Sequence, residues 1–193
     1  MQNTLFSLDN RRALITGSTQ GIGLALAYGL ARSGATIVLN GRDEARVRQA
    51  AEQMRADGFN AEVAAFDVTD QAAVIAGVEH IERDFGAIDI VINNAGIQRR
   101  APLEDFSSEN WNDIFNANVN SVFYVSQAVA KHMIPRQKGK IINICSVQSQ
   151  LGRPTIAPYT ATKGAVANLT KGMCADWAKY GIQANGLAPG YFA

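Results

Sequence analysis

One stretch near the amino terminus decides the fold: residues 13–23 have the sequence ALITGSTQGIG. Its apolar start predicts a buried strand, and the Ala- and Leu-rich segment after it predicts a helix. Gly17, Gly21 and Gly23 therefore fall at a strand-to-helix turn. Glycine permits a tight turn and a close backbone approach, and the amides at the start of the helix stabilise an anion. The stretch predicts a pyrophosphate site, although a tight packing turn between strand and helix would also use glycines.

Strand and helix patterns alternate along the rest of the chain. The β-branched and aliphatic runs predict six strands, and the segments between them have helical periodicity. Gly34, Gly58, Gly86 and Gly181 are expected to end four helices in the left-handed conformation. The predicted strands are residues 13–16, 36–40, 61–66, 89–93, 140–145 and 183–188, and the predicted helices are 21–33, 43–57, 70–85, 108–134 and 157–180.

This order predicts an α/β protein: a Rossmann-type doubly wound parallel sheet with helices on both faces. Right-handed crossovers place the helices on the two faces and the ligand crevice at the carboxyl ends of the strands. With no internal repeat and no linker, residues 1–193 are expected to form a single dinucleotide-binding domain.

Composition narrows the classes of ligand. The chain has 18 basic and 17 acidic residues and a net charge of +1, so we expect neither nucleic acid nor a membrane surface as partner. No leader and no bilayer-length apolar run is evident. Cys145 and Cys174 lack paired spacing, which predicts two buried thiols and a cytoplasmic location. His80 and His132 lack companion ligands, so no metal is expected.

The end of the second predicted strand bears on the choice of cofactor. An acidic residue there would bind the ribose hydroxyls of NAD and repel an added phosphate. Asn40 is neutral, and Arg42 could hydrogen-bond a 2′-phosphate. We therefore expect NADP(H) to be preferred and NAD(H) to be possible, unless Arg42 is an ordinary solvated residue before the next helix.

Polar residues also follow later strands. Ser146 comes directly after the fifth strand, and Tyr159 and Lys163, four residues apart, share one face of a helix. A free tyrosine ionises only near pH ~10, and a neighbouring ammonium together with a positive nicotinamide would favour the phenolate. Proton transfer at neutral pH is the chemistry that such a set allows.

In this order, the motifs resemble those of the short-chain dehydrogenase family over nearly the whole chain, from residues 16–17 through 93–96, Ser146, Tyr159 and Lys163 to 189–190. The resemblance implies hydride transfer between a nicotinamide and a secondary alcohol or ketone. Tyr159 would be the acid or base, Ser146 would hold the substrate oxygen, and Asn118 would hold a water that links Lys163 to solvent. The implied cofactor contacts are Gly17, Ser18, Thr19, Gln20, Gly21, Ile22, Gly23, Asn40, Arg42, Asp67, Val68, Asn94, Ala95, Gly96, Tyr159, Lys163, Pro189 and Gly190. The resemblance also implies a homodimer or homotetramer, joined through the helices that begin near residues 108 and 157.

A narrower resemblance concerns the loops around the pocket. Residues 96–100, 142–149, 151–154 and 186–192 are similar to those of gluconate 5-dehydrogenases, which interconvert D-gluconate and 5-keto-D-gluconate. A polyhydroxy acid substrate would use arginine for its carboxylate and amides for its hydroxyls. The candidate substrate contacts are Ser146, Tyr159, Gln148, Arg99, Arg153 and, in addition, Arg100; any one of these arginines could equally be a solvated surface residue.

Two alternatives remain open at this point. The same scaffold serves reduction of 3-oxoacyl groups on acyl carrier protein, for which the near-zero charge gives little support. The chain could also be an inactive cofactor-binding fragment, since family members continue through a substrate lid and a seventh strand. A sequence that ends at Ala193 is expected to lack both, and we expect it to be incomplete.

Overall fold

A computed structural model describes residues 4–191; residues 1–3 and 192–193, including Phe192 of the pocket segment 186–192, lie outside the described residues. Six parallel strands form one sheet in the order β3-β2-β1-β4-β5-β6. The strands are β1 (Arg12–Ile15), β2 (Thr36–Gly41), β3 (Ala61–Ala65), β4 (Ile90–Asn93), β5 (Gly139–Ile144) and β6 (Ile182–Leu187).

Helices cover both faces of the sheet. They are α1 (Gly21–Arg32), α2 (Glu44–Ala56), α3 (Gln71–His80), α4 (Ser108–Phe115), α5 (Ser121–Arg136) and α6 (Ala157–Trp177). Successive strand residues point to opposite faces, so Ala13 and Ile15 pack with α1 and α2 while Leu14 packs with α3, α5 and α6. This arrangement confirms the doubly wound sheet expected from the sequence.

The strand order reverses between β1 and β4, which are neighbours in the sheet although β2 follows β1 in the chain. The loops after these two strands diverge to opposite faces and leave a crevice at the carboxyl edge, as expected for an open α/β sheet. The glycine-rich turn after β1 and the segment after β4 both lie at this crevice.

Two predicted helices differ from those in the structure. The segment predicted as one helix over residues 108–134 is interrupted by a π turn at Asn116–Asn120, and the one predicted over 70–85 ends in a π turn at Ile81–Phe85. Hydrophobic periodicity does not register the one extra residue of a π turn. All four predicted terminal glycines have positive φ, but Gly86, with ψ of −176°, lies outside the left-handed helical region.

The prediction of two buried thiols was wrong for one of them. Cys145 is buried at the end of β5, whereas Cys174 is exposed on α6. Over residues 4–191, no helix combines the length and apolarity needed to cross a bilayer. The same residues contain no group of three or more His, Cys, Asp or Glu side chains placed to hold a metal ion.

Candidate active site

The turn after β1 has the backbone shape of an anion cradle. Gly17 and Gly21 have φ of +61° and +56°, a region that other residues rarely adopt. Gln20 precedes α1 without a side-chain hydrogen bond to its first amides, as far as the described residues show. The positive end of α1 is therefore left for a ligand.

Gly23 is required by close packing rather than by a positive φ. A Cβ at this position would lie 2.4 Å from the carbonyl oxygen of Gly17 and 2.5 Å from Nδ2 of Asn94. Asn94 donates to the carbonyl oxygens of Thr16 and Gly17, each at 3.0 Å, and so ties the segment after β4 to the glycine turn. The Thr16 hydroxyl accepts from the backbone amides of Asn94 and Ala95, also at 3.0 Å. Sequence reasoning did not identify Thr16 as a site residue, because its role depends on the pairing of β1 with β4.

The side chains of Ser18 and Asn40 form hydrogen bonds within the protein. The Ser18 hydroxyl accepts from the Asn40 amide at 2.9 Å, and the Asn40 side chain donates to the carbonyl oxygens of Ala64 and Phe66. Both residues are buried. Through these two hydrogen bonds Asn40 positions the end of β3, while its Oδ1 has no hydrogen-bond partner among the described residues.

A groove of about 520 Å³ runs along the glycine turn. Arg42 lines it and is exposed, next to Arg46, which pairs with Asp43 at 3.4 Å. Asp67 and Val68 line the groove further along, and the Asp67 carboxylate also accepts from the amide and hydroxyl of Thr69. The structure thus brings the glycine turn, Arg42 and the end of β3 to one surface.

A second cavity of about 260 Å³ adjoins this groove and contains the predicted catalytic set. Ser146, Tyr159, Lys163 and Asn118 all line it, together with Pro189 and Gly190. The two cavities have four lining residues in common, namely Ile22, Asn94, Gly96 and Ile97. They are therefore continuous, and one extended ligand can reach from Arg42 to Tyr159.

Ser146 is held by the backbone around it. Ser146 caps a short 3₁₀ turn at Val147–Ser149: its Oγ accepts from the Gln148 amide at 3.1 Å, and its own amide donates to Oγ of Ser149. Accepting this bond leaves the Ser146 hydroxyl proton to be donated. The side chain is positioned to hold a substrate oxygen.

Lys163 is a buried cation on α6. Its Nζ donates to the carbonyl oxygen of Ile144 at 2.6 Å and lies 5.7 Å from the centre of the Tyr159 ring. Burial lowers the pKa of Lys163, because desolvation disfavours the ammonium, and the Cys145 thiol nearby acts in the opposite direction. The ammonium has two further protons to donate beyond the one used on Ile144.

Asn118 lies in the π turn between α4 and α5 and binds protein backbone. Its Oδ1 accepts from the Ile97 amide at 2.7 Å, and its Nδ2 donates to the Ile97 carbonyl at 2.9 Å and to the Thr162 hydroxyl at 3.1 Å. The turn explains why a poor helix former occurs in this segment. Asn118 thereby joins the loop after β4 to the helix that carries Tyr159 and Lys163.

The predicted substrate residues are divided between two loops. Arg99 and Arg100 are exposed after β4, with no ion pair among the described residues. Gln148 is buried and donates to the Tyr191 hydroxyl at 3.0 Å, and the guanidinium of Arg153 lies 5.3 Å from the centre of the Tyr191 ring. Sequence reasoning did not single out Tyr191 within the pocket segment 186–192; the Pro-Gly pair directly before it was the available signal.

Taken together, fold and site define a Rossmann-type enzyme with a dinucleotide groove that leads to a Ser, Tyr and Lys set. The model of the short chain dehydrogenase family matches residues 11–193. The chain belongs to the short-chain dehydrogenase family, as the sequence resemblance implied, and it is an oxidoreductase acting on CH–OH groups.

Two relatives within this family have high sequence identity to the chain. The gluconate 5-dehydrogenase of Gluconobacter oxydans (strain 621H) is 66% identical over 189 residues, which cover 98% of this chain and 74% of that protein. The 5-keto-D-gluconate 5-reductase of Escherichia coli (strain K12) is 53% identical over 190 residues, covering 98% of this chain and 75% of that protein.

Among solved structures, that of a gluconate 5-dehydrogenase from Burkholderia cenocepacia J2315, in complex with NADP and tartrate, superimposes with a TM-score of 0.96 at 63% identity. The match covers 97% of this chain and 74% of that one. The chain therefore spans about three quarters of the length of these relatives.

Proposed function

We propose that this chain interconverts D-gluconate and 5-keto-D-gluconate with NADP(H) as the redox cofactor. The continuity of the dinucleotide groove with the cavity that contains Ser146, Tyr159 and Lys163 is the observation that carries the proposal. The two relatives named for this reaction, and the solved relative that binds NADP and tartrate, favour the same substrate class.

The residues present fit a dinucleotide. A Cβ on Gly23 would collide with the backbone of the glycine turn, so the turn can keep its shape only with glycine there. Gly17 to Gly23 would hold the pyrophosphate with backbone amides, and Arg42 would pair with the 2′-phosphate. Asp67 and Val68 would flank the adenine, and Asn94, Ala95, Gly96, Pro189 and Gly190 would surround the nicotinamide end of the groove.

The cofactor, when bound, supplies the hydride, and the protein supplies position and the proton. Ser146 donates its free hydroxyl proton to the substrate oxygen and so orients the carbonyl. Tyr159 donates its phenolic proton to that oxygen during reduction and takes it back during oxidation. Lys163 favours the phenolate that remains, because its ammonium is held close to the Tyr159 ring by Ile144.

Asn118 acts on this chemistry through the positions of its neighbours. Its hydrogen bonds to Ile97 and Thr162 hold the loop after β4 against α6. The water between Asn118 and Lys163 that the family resemblance implies remains part of the proposal.

The test is NADPH consumption with 5-keto-D-gluconate, compared with a 3-oxoacyl thioester. We expect turnover of the keto acid, and a Tyr159→Phe variant that binds NADPH normally but turns over about 10² to 10⁴ times more slowly. Tyr180→Phe, outside both cavities, is the matched control. Faster reduction of the thioester would instead support the acyl-carrier alternative, and undiminished turnover by Tyr159→Phe would contradict the role of Tyr159.

The assembly and the cellular location are also proposals. A homodimer or homotetramer is supported by exposed apolar residues on α4 and α5, Trp111 and Phe123. Sedimentation of the purified chain tests it, with a monomer as the contradicting result. A cytoplasmic location is supported by cysteines without paired spacing, and fractionation of cells tests it.

A further inference from the structure

Gln148 is a buried polar residue whose hydrogen bonding is incomplete. Its side chain is only 4% exposed, its Nε2 donates to the Tyr191 hydroxyl at 3.0 Å, and its Oε1 has no hydrogen-bond partner among the described residues. Leaving the oxygen of a buried amide unpaired costs free energy, and the hydrogen bond to the Tyr191 hydroxyl offsets part of the cost of burying this side chain. That bond connects the turn after β5 to the segment after β6.

The turn that carries Gln148 also carries Ser146. The backbone amide of Gln148 donates to Ser146 Oγ at 3.1 Å, and Tyr191 directly follows Gly190, which lines the catalytic cavity. Tyr191 is therefore attached at its backbone to one wall of the cavity and at its hydroxyl to the turn that positions the substrate-holding serine.

The guanidinium of Arg153 contacts the aromatic ring of Tyr191. The guanidinium carbon lies 5.3 Å from the ring centre, which is within the range of a cation–π contact. Stacking occupies the flat face of a guanidinium and leaves the N–H groups at its edge free for a carboxylate. No carboxylate of residues 4–191 lies within ion-pair distance of Arg153.

The other two arginines near the pocket lack such a support. All three arginines are exposed, and of the three only Arg153 makes a cation–π contact among the described residues. An arginine that is already ordered loses less side-chain entropy on binding an anion. Arg153 is therefore the one of the three candidates whose side chain a contact within the protein already orders.

We propose that Tyr191 is a positioning residue for substrate specificity: Gln148 fixes its hydroxyl, its ring holds Arg153, and Arg153 binds the carboxylate of the sugar acid. This assignment rests on the proposed function, since it needs a substrate with a carboxylate. We refer to Gln148, Tyr191 and Arg153 together as the carboxylate bracket.

A double-mutant cycle separates positioning from general damage to the loop. Arg153→Ala is expected to raise KM for 5-keto-D-gluconate about ten- to hundredfold with little change in kcat, because a charge-assisted hydrogen bond is lost. Tyr191→Leu is expected to raise KM roughly two- to fivefold. In the Arg153→Ala background, Tyr191→Leu should have no further effect.

Two further variants define what Tyr191 contributes. Tyr191→Phe keeps the ring but loses the bond to Gln148, and its KM should lie between those of the wild type and Tyr191→Leu. Tyr180→Phe, a tyrosine beside Lys179 and outside both cavities, should leave kcat and KM unchanged. Additive effects of Tyr191→Leu and Arg153→Ala, or an unchanged KM in Arg153→Ala, would overturn the carboxylate bracket.

Calorimetric titration of gluconate into each variant with saturating NADPH, a pair of reduced ligands that cannot react with each other, distinguishes this inference from the proposed function. If the wild type binds gluconate but does not reduce 5-keto-D-gluconate, the reaction is wrong, and the same cycle, now in Kd, supports or overturns the bracket. If the wild type turns over 5-keto-D-gluconate normally but the effects of Tyr191→Leu and Arg153→Ala are additive, only the carboxylate bracket is overturned. If the wild type neither binds gluconate nor turns over 5-keto-D-gluconate, both the proposed function and the carboxylate bracket are overturned.

Discussion

Gly23 and Asn94 lie so close that a Cβ on the glycine would fall 2.5 Å from the amide nitrogen of the asparagine. This contact joins the glycine turn after β1 to the segment after β4, at the point where the sheet order reverses. Asn94 fixes the start of the turn by donating to the carbonyl oxygens of Thr16 and Gly17, and both Asn94 and the turn line the dinucleotide groove.

The contact predicts the effect of a single added methyl group. Gly23→Ala should lower the free energy of unfolding by about 1–3 kcal/mol through overpacking and should weaken NADPH binding. Gly29→Ala is the matched control on the same helix, since a Cβ there meets nothing within 4 Å; it should stabilise by roughly 0.5–1 kcal/mol. Denaturant unfolding and NADPH titration measure both, and equal effects of the two changes would contradict the contact.

Arg42 is expected to determine the preference for NADP(H). Arg42→Ala should raise KM for NADPH about ten- to hundredfold, because a charge-assisted hydrogen bond to the 2′-phosphate is lost. KM for NADH, which lacks this phosphate, should be nearly unchanged. Arg46→Ala is the control, because Arg46 lines the same groove but pairs with Asp43. A parallel loss with both cofactors would show that Arg42 does not bind the phosphate.

The hydrogen bonds of Asn118 predict that replacing its amide with a carboxylate lowers stability and kcat. In Asn118→Asp the side chain can still accept from the Ile97 amide, but it can no longer donate to the Ile97 carbonyl or to Thr162. We expect a loss of about 1–3 kcal/mol in unfolding free energy, together with a lower kcat. Asn120→Asp, in the same π turn but exposed, should change stability by less than about 0.5 kcal/mol. Equal stability of the two variants would mean that the Asn118 bonds contribute nothing.

Burial of Lys163 predicts a pH dependence of stability. Because its pKa is lowered in the folded chain, the unfolded chain binds more protons between that lowered pKa and the ordinary value of 10.5. The wild type should therefore gain unfolding free energy relative to Lys163→Met as pH rises through this window. Burial raises the pKa of Cys145, but both proteins contain this thiol and its contribution largely cancels in the difference. A difference that is flat from neutral pH to about pH 10.5 would contradict a lowered pKa.

Much of the fold follows from local patterns. Each strand was predicted within a residue or two, because apolar runs between glycine-ended helices are a strong signal in a parallel sheet. The π turn that carries Asn118 was not predicted, since one extra residue in a helix leaves the hydrophobic spacing almost unchanged. The exposure of Cys174 was also missed, because the composition of a helix does not say which of its faces is covered.

Some of the site residues could be predicted from the sequence, whereas several of their contacts could not. Glycines and the Ser146, Tyr159 and Lys163 set could be placed from order and spacing alone. Ser18 and Asn40 were expected to contact a cofactor; the structure adds that the Ser18 side chain also binds the Asn40 backbone and the Asn40 side chain the end of β3, which spacing alone does not indicate. Residues 186–192 were assigned to the pocket, but the contacts of Tyr191 with Gln148 and Arg153 were not predicted, since they come from loops that meet only in the folded chain.

Transfer of a hydride from C4 of NADPH to the keto carbon of the substrate can be followed with an isotope label. The chain is incubated with 5-keto-D-gluconate and NADPH that carries deuterium at the transferable position of C4, and the product is analysed by mass spectrometry and NMR. We expect D-gluconate with one deuterium on carbon 5, formed by the wild type and nearly absent with Tyr159→Phe. An unlabelled product, or label in the product of Tyr159→Phe at the wild-type rate, would contradict this expectation.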